Sequence, residues 1–216
     1  MRINKYLALN LNTSRREADK LIKKKLIKIN GLEAELGQLV DENDVLTYKN
    51  EVINAITEHK YYKFYKPKNY TSSRISQGNS KTMYELINDK KLKYSGRLDK
   101  DSEGLMLLSA DGDWLNKNSH PSKEIKKKYI VTTDTEDIDL TIFKKSVNDK
   151  KEKLMLFSIK KIKNYEYAVT LKTGKNREIR RIFEYNNVKI TNLKRISIGK
   201  YVLGNMKIGE LKEINK

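Results

Sequence analysis

The residues whose types and spacing could do chemistry are concentrated around Asp99. This carboxylate lies between Gly96 and Gly104, close to Arg97, and an apolar run of strand length begins at Leu105. Glycine permits tight turns and the close approach of another backbone, and arginine can bind a phosphate or carboxylate through two parallel hydrogen bonds. The segment could therefore present a carboxylate to a ligand from a rigid support. From the residues alone, the simpler interpretation is an aspartate that caps a turn and pairs with Arg97.

A second candidate segment, residues 173–183, combines a glycine with several arginines. Gly174 precedes Arg177, Arg180 and Arg181, and an apolar stripe that includes Ile179 predicts a helix whose arginines face away from the core. Helix N-termini and guanidinium groups both favour anions. The pattern fits an anion site and, equally, a basic surface helix.

A third segment, residues 126–132, is a basic entry into a predicted strand that carries Tyr129. Its ring could stack on a nucleic-acid base. An ordinary strand aromatic is the alternative, because the chain has 13 tyrosines.

Composition limits the partners and the chemistry. The 216 residues include 46 Lys and Arg against 28 Asp and Glu, a net charge of +18, which favours a polyanionic partner such as nucleic acid over an anionic membrane surface. No apolar run approaches the roughly 18 residues of a membrane span, and no signal peptide is recognisable, so a cytoplasmic protein without a membrane partner is expected.

There is no cysteine and there are two histidines, His59 and His120. Catalysis would therefore rest on carboxylates, Lys, Arg, Tyr or hydroxyls rather than on thiols or metal clusters.

The elements that must position these residues fall into two parts. In residues 1 to about 58, Ser14 and Glu17 form a capping-box pattern that predicts a helix from Arg15. Asn30-Gly31 predicts a hairpin turn, and residues 50–60 read as a linker. The predicted helix carries basic residues, which fits contacts to phosphates or simply a solvated basic face; these residues are Arg15, Arg16, Lys20, Lys23 and Lys24.

In residues 61–216 the patterns predict strands, short helices and a strand-rich tail. An aromatic strand spans 61–65 and ends at Lys66-Pro67, before a polar loop at 70–80. Helices are predicted at 82–88 and 140–147, a pair of strands at 154–162 and 165–171, and Trp114 is expected in the core. The predicted fold class is α+β.

Three of these segments resemble the signature motifs of RNA pseudouridine synthases. Gly96-Arg97-Leu98-Asp99-x-x-Ser102-x-Gly104-Leu105 matches the loop whose Asp is the family's nucleophile, Lys127-x-Tyr129-x-Val131 matches the second active-site segment, and residues 174–181 match Gly-Arg-Asn-Arg-Gln-Ile-Arg-Arg. The Lys66-Pro67 segment and Leu193-x-Arg195-x-x-x-Gly199 also follow the family. Departures are Asn69 and Ser146, where glycine is common, and Lys175 and Glu178.

The N-terminal part resembles an S4 RNA-binding domain. The resemblance rests on Arg2-x-x-Lys5-Tyr6-Leu7, Ser14-Arg15-Arg16-Glu17-Ala18, Ile29-Asn30-Gly31 and Asp44-x-Leu46. It implies an S4 domain over 1–58, with a linker to about 60, and a catalytic domain over 61–216 that has a mixed, mainly antiparallel sheet.

The resemblance also implies roles for individual residues. Asp99 is the nucleophile, or the base that removes a sugar proton, while Arg180 pairs with it and Tyr129 stacks on the uracil. Arg97 positions the flipped nucleotide or its phosphate, Ile179 packs the site, and Arg177 binds the substrate RNA. In the S4 part, the residues that contact the RNA backbone are Arg15, Arg16, Lys20 and Lys23.

The expected reaction is isomerisation of uridine to pseudouridine in ribosomal RNA, which requires no cofactor or metal. The substrate is rRNA or a ribosomal assembly intermediate, and the protein is expected to be a monomer. His120-Pro121-Ser122 before Ile125-x-Lys127-x-Tyr129 resembles the large-subunit members more than the small-subunit ones. A non-catalytic S4-type RNA-binding or ribosome-assembly factor is the alternative. A DNA-binding protein ranks third, because no groove-reading helix or dimer motif is evident.

Overall fold

The computed structural model describes residues 1–56, 58–76, 78–89 and 91–216. These residues form two compact units, Met1–Lys60 with Ala110–Gly112, and Tyr61–Ser109 with Asp113–Lys216. The predicted linker at 50–60 includes Thr57, and the predicted loop at 70–80 includes Gln77; both of these residues lie outside the described ranges. Part of the predicted linker is a strand, because Glu51–Val52 pairs with the strand before it.

The N-terminal unit packs two helices against a small antiparallel sheet. The helices are α1 (Ile3–Asn10) and α2 (Arg15–Lys23). The strands are β1 (Ile27–Ile29), β2 (Leu32–Glu33), β3 (Leu46–Tyr48) and β4 (Glu51–Val52). They lie in the order β2-β1-β3-β4.

Local sequence signals explain this unit well. Helix α2 begins at Arg15 as predicted, because the Ser14 hydroxyl accepts a hydrogen bond from the Glu17 N–H at 3.1 Å. The β1–β2 hairpin turns at Asn30 and Gly31, which both have positive φ, as the sequence predicts. The core lies between the helices and the sheet and includes Ile3, Leu7, Ala18, Ile22, Ile27 and Leu46.

The C-terminal unit is built on a larger sheet with helical segments around it. Its strands are β5 (Tyr61–Lys66), β6 (Lys93–Ser95), β7 (Glu103–Ser109), β8 (Lys127–Thr133), β9 (Val147–Asp149), β10 (Glu152–Leu154), β11 (Ser158–Lys163), β12 (Glu166–Leu171), β13 (Ile190–Ile198), β14 (Tyr201–Val202) and β15 (Leu211–Ile214). Its α-helices are α3 (Gly112–Lys117) and α4 (Glu178–Tyr185). No helix of the described residues is long and apolar enough to cross a membrane.

The main sheet of the described residues has the path β11-β12-β8-β13-β7-β5-β15, with β14 paired to β13 and β6 to β7. The β13–β7 pair is parallel and the other pairs are antiparallel. The predicted α+β class with a mixed, mainly antiparallel sheet is therefore confirmed. Strands β7 and β8 both border β13, so the residues that precede β7 and those on β8 come to the same part of the sheet.

Two segments that were predicted to be helices contain 3₁₀ turns and no α-helix. Residues 82–88 contain only a 3₁₀ turn at Met83–Glu85, and residues 140–147 contain a 3₁₀ turn at Leu140–Lys144 followed by strand β9. Both segments are too short to bury an α-helical stripe, so tertiary packing decides their conformation. Trp114 is buried in the core, as predicted, and its indole N–H donates to the Tyr201 hydroxyl at 3.2 Å.

Candidate active site

The segment from Gly96 to Gly104, here called the Asp99 loop, comprises the connection between β6 and β7 and the first two residues of β7. Both glycines have positive φ. A Cβ on Gly104 would lie 2.3 Å from the carbonyl oxygen of Arg195, so the parallel approach of β13 requires glycine here. Within the loop, the Ser102 N–H donates to the Asp99 carbonyl at 3.1 Å, and the Asn69 N–H donates to the Lys100 carbonyl at 2.7 Å. These bonds hold the backbone that carries Asp99.

A pocket of about 300 Å³ opens beside the Asp99 loop. The three segments that carry the candidate residues all contribute to its lining. The lining residues of those segments include Arg97, Asp99, Lys127, Tyr129, Lys175, Arg177, Glu178 and Ile179, and β13 adds Leu193 and Arg195. The fold thus brings together residues that are up to about a hundred positions apart.

Arg177 is the cation closest to Asp99 among the ion pairs of the described residues. Its Nη1 lies 3.6 Å from Asp99 Oδ2 and 3.3 Å from Asp101 Oδ1. Arg177 is the N-cap of α4 and has φ +46°, a left-handed conformation that is uncommon for a residue other than glycine. Asp99 keeps about a third of its side chain exposed, so it remains accessible to a ligand in the pocket.

The sequence-based expectation that Arg180 pairs directly with Asp99 is wrong. Arg180 Nε lies 3.2 Å from Asp101 Oδ2, and its Nη2 donates to the Asp101 carbonyl at 3.0 Å and to the Ser102 hydroxyl at 3.1 Å. Burial lowers the pKa of Arg180, whereas Asp101 and, more weakly, Asp99 favour its cationic form. Arg180 therefore anchors the loop just after Asp99 and acts on Asp99 at longer range. Arg177, the N-cap of α4, is instead the arginine whose guanidinium lies within ion-pair distance of Asp99.

Tyr129 lies in the lining of the pocket, on β8. It is buried, and its register partners are Val169 on β12 and Arg195 on β13. Ile179, also buried and on the first turn of α4, contributes a second apolar surface to the same pocket. The pocket therefore combines an aromatic ring, an aliphatic side chain and a carboxylate, which suits a planar base attached to a sugar.

Glu178, one of the two residues at which this segment departs from the motif, is buried and orders the loop before α4. Its carboxylate accepts from the Thr173 hydroxyl at 2.7 Å and from the Lys175 N–H at 3.0 Å. Lys127, also buried, donates to the Thr173 carbonyl at 3.0 Å. Burial lowers the pKa of Lys127, Arg195 lowers it further, and Glu178 opposes both effects. The glutamate thus supplies a negative charge to a pocket wall that contains two buried cations.

Lys66 is a buried residue of the site to which the sequence patterns assigned no role. It is fully buried behind the Asp99 loop, and its Nζ donates to the Ser102 carbonyl at 2.7 Å and to the Pro67 carbonyl at 2.9 Å. Burial lowers its pKa to about 8, with a further lowering from Arg195 that the nearby carboxylates Asp101, Asp99 and Glu103 oppose. The sequence shows a lysine at the end of an aromatic strand. It does not show that the ammonium group is buried, because that burial depends on tertiary packing.

Arg195 belongs to the Leu193-x-Arg195-x-x-x-Gly199 pattern, from which no individual role was predicted for it. It is buried and lines the pocket. Its Nε donates to the Leu105 carbonyl at 2.7 Å, and its Nη1 to the Arg97 carbonyl at 3.4 Å. It therefore joins the two ends of the Asp99 loop through one guanidinium group. Arg97 itself is exposed and lines the same pocket.

The four basic residues of the N-terminal unit that the S4 resemblance assigns to RNA contacts lie on α2. Arg15, Arg16, Lys20 and Lys23 are all exposed. Arg15 donates to Asn4 Oδ1 at 3.3 Å, and Lys20 pairs with Glu17 at 3.1 Å. No group of three or more metal-ligating residues occurs in the part of the chain that the structure describes.

Comparison with known proteins agrees with the architecture of both units. Residues 60–185 match the family model described as RNA pseudouridylate synthase, and residues 1–46 match the S4 domain. An RNA pseudouridine synthase of Borreliella burgdorferi is 34% identical over 98% of this chain and 88% of its own length. A protein of Haemophilus influenzae named ribosomal small subunit pseudouridine synthase A is 28% identical over 94% of this chain and 90% of its own length.

A solved structure agrees with these matches. A crystal structure of a pseudouridylate synthase superimposes with a TM-score of 0.68 at 26% identity, covering 100% of this chain and 96% of the other. The agreement therefore includes both the S4 unit and the unit that holds the pocket. The chain belongs to the RNA pseudouridine synthase family, and it is an RNA-modifying enzyme with an N-terminal S4 domain.

Proposed function

We propose that this enzyme converts a specific uridine of ribosomal RNA to pseudouridine, with Asp99 as the nucleophile. The observation that carries the proposal is the position of Asp99: it lines a pocket with Tyr129 and Ile179, 3.6 Å from the Arg177 guanidinium. An accessible carboxylate beside an aromatic and an aliphatic surface fits a flipped uridine. Flipping the base costs a few kcal/mol, and contacts between the basic surface and phosphates offset that cost.

In the nucleophilic route, Asp99 attacks C1′ of the ribose as the C1′–N1 bond breaks. Uracil leaves with the bonding electrons, turns in the pocket, and its C5 forms a bond to C1′ as the aspartyl ester breaks. Loss of the C5 proton to a base and protonation of N1 complete an isomer of the starting nucleotide. In the second route, Asp99 instead removes a ribose proton as the C1′–N1 bond breaks and returns that proton to the sugar when C5 bonds to C1′. Both routes use the Asp99 carboxylate, which lies beside the Arg177 guanidinium.

Tyr129 and Ile179 hold the uracil ring between apolar surfaces while it turns. Arg97 binds the nucleotide or its phosphate at the pocket edge, and Arg177 contacts both the carboxylate and the RNA. Arg180 acts as a positioning residue for the Asp99 loop through Asp101. On the S4 domain, the exposed face of α2 contacts RNA phosphates through Arg15, Arg16, Lys20 and Lys23.

The substrate is rRNA or a ribosomal assembly intermediate, which places the enzyme in the cytoplasm, where we expect it to act as a monomer. The name of the Haemophilus relative refers to the small ribosomal subunit. The order His120-Pro121-Ser122 and Ile125-x-Lys127-x-Tyr129 instead resembles large-subunit members, and we therefore place the target in the large-subunit rRNA.

The experiment is carbodiimide mapping of pseudouridine in rRNA from cells with and without the gene, and from cells that carry D99A. Isomerisation leaves the mass unchanged, so a reverse-transcription stop is the appropriate readout. We expect one reverse-transcription stop in large-subunit rRNA to disappear both in the strain without the gene and in the D99A strain. D99N should still bind RNA and form no product.

Turnover by D99N would overturn the assignment of the nucleophile. A lost stop in small-subunit rRNA would overturn the target but not the chemistry. If the purified protein modified neither rRNA nor tRNA and still bound rRNA, the non-catalytic assembly factor would be the better description of this chain.

A further inference from the structure

One exposed aromatic side chain near the pocket has no role in the chemistry described above. Phe157, in the segment between β10 and β11, leaves 47% of its surface exposed, and the neighbouring Met155 leaves 53%. The Nζ atoms of Lys126 and Lys172 each lie 4.8 Å from the centre of the Phe157 ring. Lys172 also pairs with Glu124 at 2.9 Å.

The two lysines connect this ring to the rim of the pocket. Lys126 directly precedes Lys127, and Lys172 lies between Leu171 and Thr173; these three neighbours all line the pocket. The Phe157 N–H donates to the Thr170 carbonyl at 2.9 Å, which fixes its segment against the end of β12. Phe157 therefore contacts residues that directly adjoin lining residues of the Asp99 pocket in sequence.

On its other side, Phe157 borders a cleft of about 610 Å³ that is mainly apolar. The residues that line this cleft include Leu140, Phe143, Lys144, Met155 and Ile159. It is separate from the Asp99 pocket, with which it shares none of its lining residues. An exposed ring, an apolar cleft and several lysines form the combination that binds a nucleobase together with its phosphates.

We propose that Phe157 is a stacking site for a base that flanks the target uridine, with Lys126 and Lys172 binding the adjacent phosphates. The proposal rests on the proposed function, because it requires an RNA strand that enters the Asp99 pocket. It adds a second base contact, outside that pocket, which helps to hold the strand while the target nucleotide is flipped.

Magnitudes favour the base over the lysines as the partner of the ring. A cation–π contact at an exposed site contributes less than the stacking of a base on an aromatic side chain. A base can therefore displace the ammonium groups from the ring. The displaced lysines then gain phosphate partners, so the exchange leaves no charge without a counterion.

The probe for the test is a fluorescein-labelled oligouridylate of about 12 nucleotides, within the range that single-strand-binding folds cover. Its dissociation constant is measured with the full chain and with F157L and F157Y, both of which preserve most of the apolar volume. We expect F157L to weaken binding roughly 5- to 150-fold, the loss that corresponds to one stacked base, and F157Y to bind like the wild type.

A second readout reports stacking directly. The only tryptophan, Trp114, is buried, so F157W adds an exposed indole whose fluorescence a stacked base quenches. The matched control is Y185W, at an aromatic residue of the same unit that is 63% exposed. We expect unlabelled oligouridylate to quench F157W strongly and Y185W weakly.

The proposal is overturned if F157L binds the oligouridylate as tightly as the wild type and F157W is quenched no more than Y185W. It is also overturned if F157L and F157Y weaken binding equally without quenching of F157W, since the ring would then only support the lysines. Neither readout requires turnover. A carbodiimide assay that shows no pseudouridine would therefore contradict the proposed function, whereas the binding and quenching measurements would still decide whether a base stacks on Phe157.

Discussion

Arg180 and Asp101 form the ion pair that connects α4 to the Asp99 loop, with Nε and Oδ2 3.2 Å apart. The same guanidinium also donates to the Asp101 carbonyl and the Ser102 hydroxyl. Arg177 adds a contact to Asp101 and is the nearer cation to Asp99. Asp101 therefore connects both arginines to the loop without itself lining the pocket.

We expect D101N to reduce turnover by about a hundredfold, because a displacement near 1 Å at the reacting carboxylate has an effect of that size. Binding of rRNA should change little, since Asp101 makes no contact in the pocket. Single-turnover kinetics with the carbodiimide readout, together with a filter-binding assay, would separate the two effects.

The control for this change is D137N, which breaks a surface ion pair of 2.8 Å with Lys161. Exposed pairs contribute at most about 1 kcal/mol, so this variant should keep its activity. Wild-type turnover in D101N would show that Arg177 and Arg180 hold their positions without the aspartate.

Gly104 should not tolerate a side chain. Its φ is +116°, and a Cβ would lie 2.3 Å from the Arg195 carbonyl oxygen. Since strain and overpacking each cost roughly 1–3 kcal/mol, we expect G104A to lower the free energy of unfolding by about 3 kcal/mol or more. Urea denaturation of the full chain would measure the change.

G112A is the matched variant, because no atom lies within 4 Å of a Cβ at that position and its φ is not in the positive range. Alanine is the better helix former, so G112A should be as stable as the wild type or slightly more stable. Equal stability of G104A and G112A would refute the close approach of β13 to the Asp99 loop.

Burial of Lys66 should make the stability of the protein depend on pH. Its pKa is about 8 in the folded chain, below the ordinary value of 10.5. Between these values the unfolded chain binds more protons, so stability rises as the pH increases from about 8 to about 10.5. Across this interval the free energy of unfolding rises by roughly 3 kcal/mol. Below the folded pKa, Lys66 is protonated in both states, and this gain in stability is absent.

The variant that isolates this effect is K66M, since the other titrating groups remain in place. Free energies of unfolding would be compared at about pH 7 and about pH 10 by linear extrapolation from urea. We expect the wild type to gain stability relative to K66M over this interval. A constant difference between the two proteins would mean that Lys66 titrates alike in the folded and unfolded chains.

The S4 domain should contribute phosphate contacts through α2. Replacing Arg15 and Arg16 together with glutamine is expected to weaken rRNA binding and to reduce the slope of log K against log salt by about 1 to 2, depending on how many phosphates the pair contacts. K49Q, on the turn between β3 and β4, is the control. A salt slope that is the same in all three proteins would mean that RNA binds another face of this domain.

The family resemblance could be read from the sequence because its motifs depend on short segments. Gly96, Asp99 and Gly104 lie within nine residues of sequence, so their types and spacing are visible in one short segment. Ser14 likewise predicts the start of α2 through a hydrogen bond within one turn. Interactions between residues close in sequence leave a recognisable pattern, which is why the start of α2 was predicted correctly.

Long-range packing decided what the sequence could not. The spacing of Arg177 and Arg180 places both near the start of α4, but which of them reaches Asp99 depends on how that helix packs against a loop more than 70 residues earlier. The burial of Lys66 and the double contact of Arg195 likewise arise only when β5, β7 and β13 assemble side by side. The sequence by itself determined the family, the two units and the residue types of the site, whereas tertiary structure decided the pairing of its charges, because the distance between two charged groups is set by packing rather than by position in the chain.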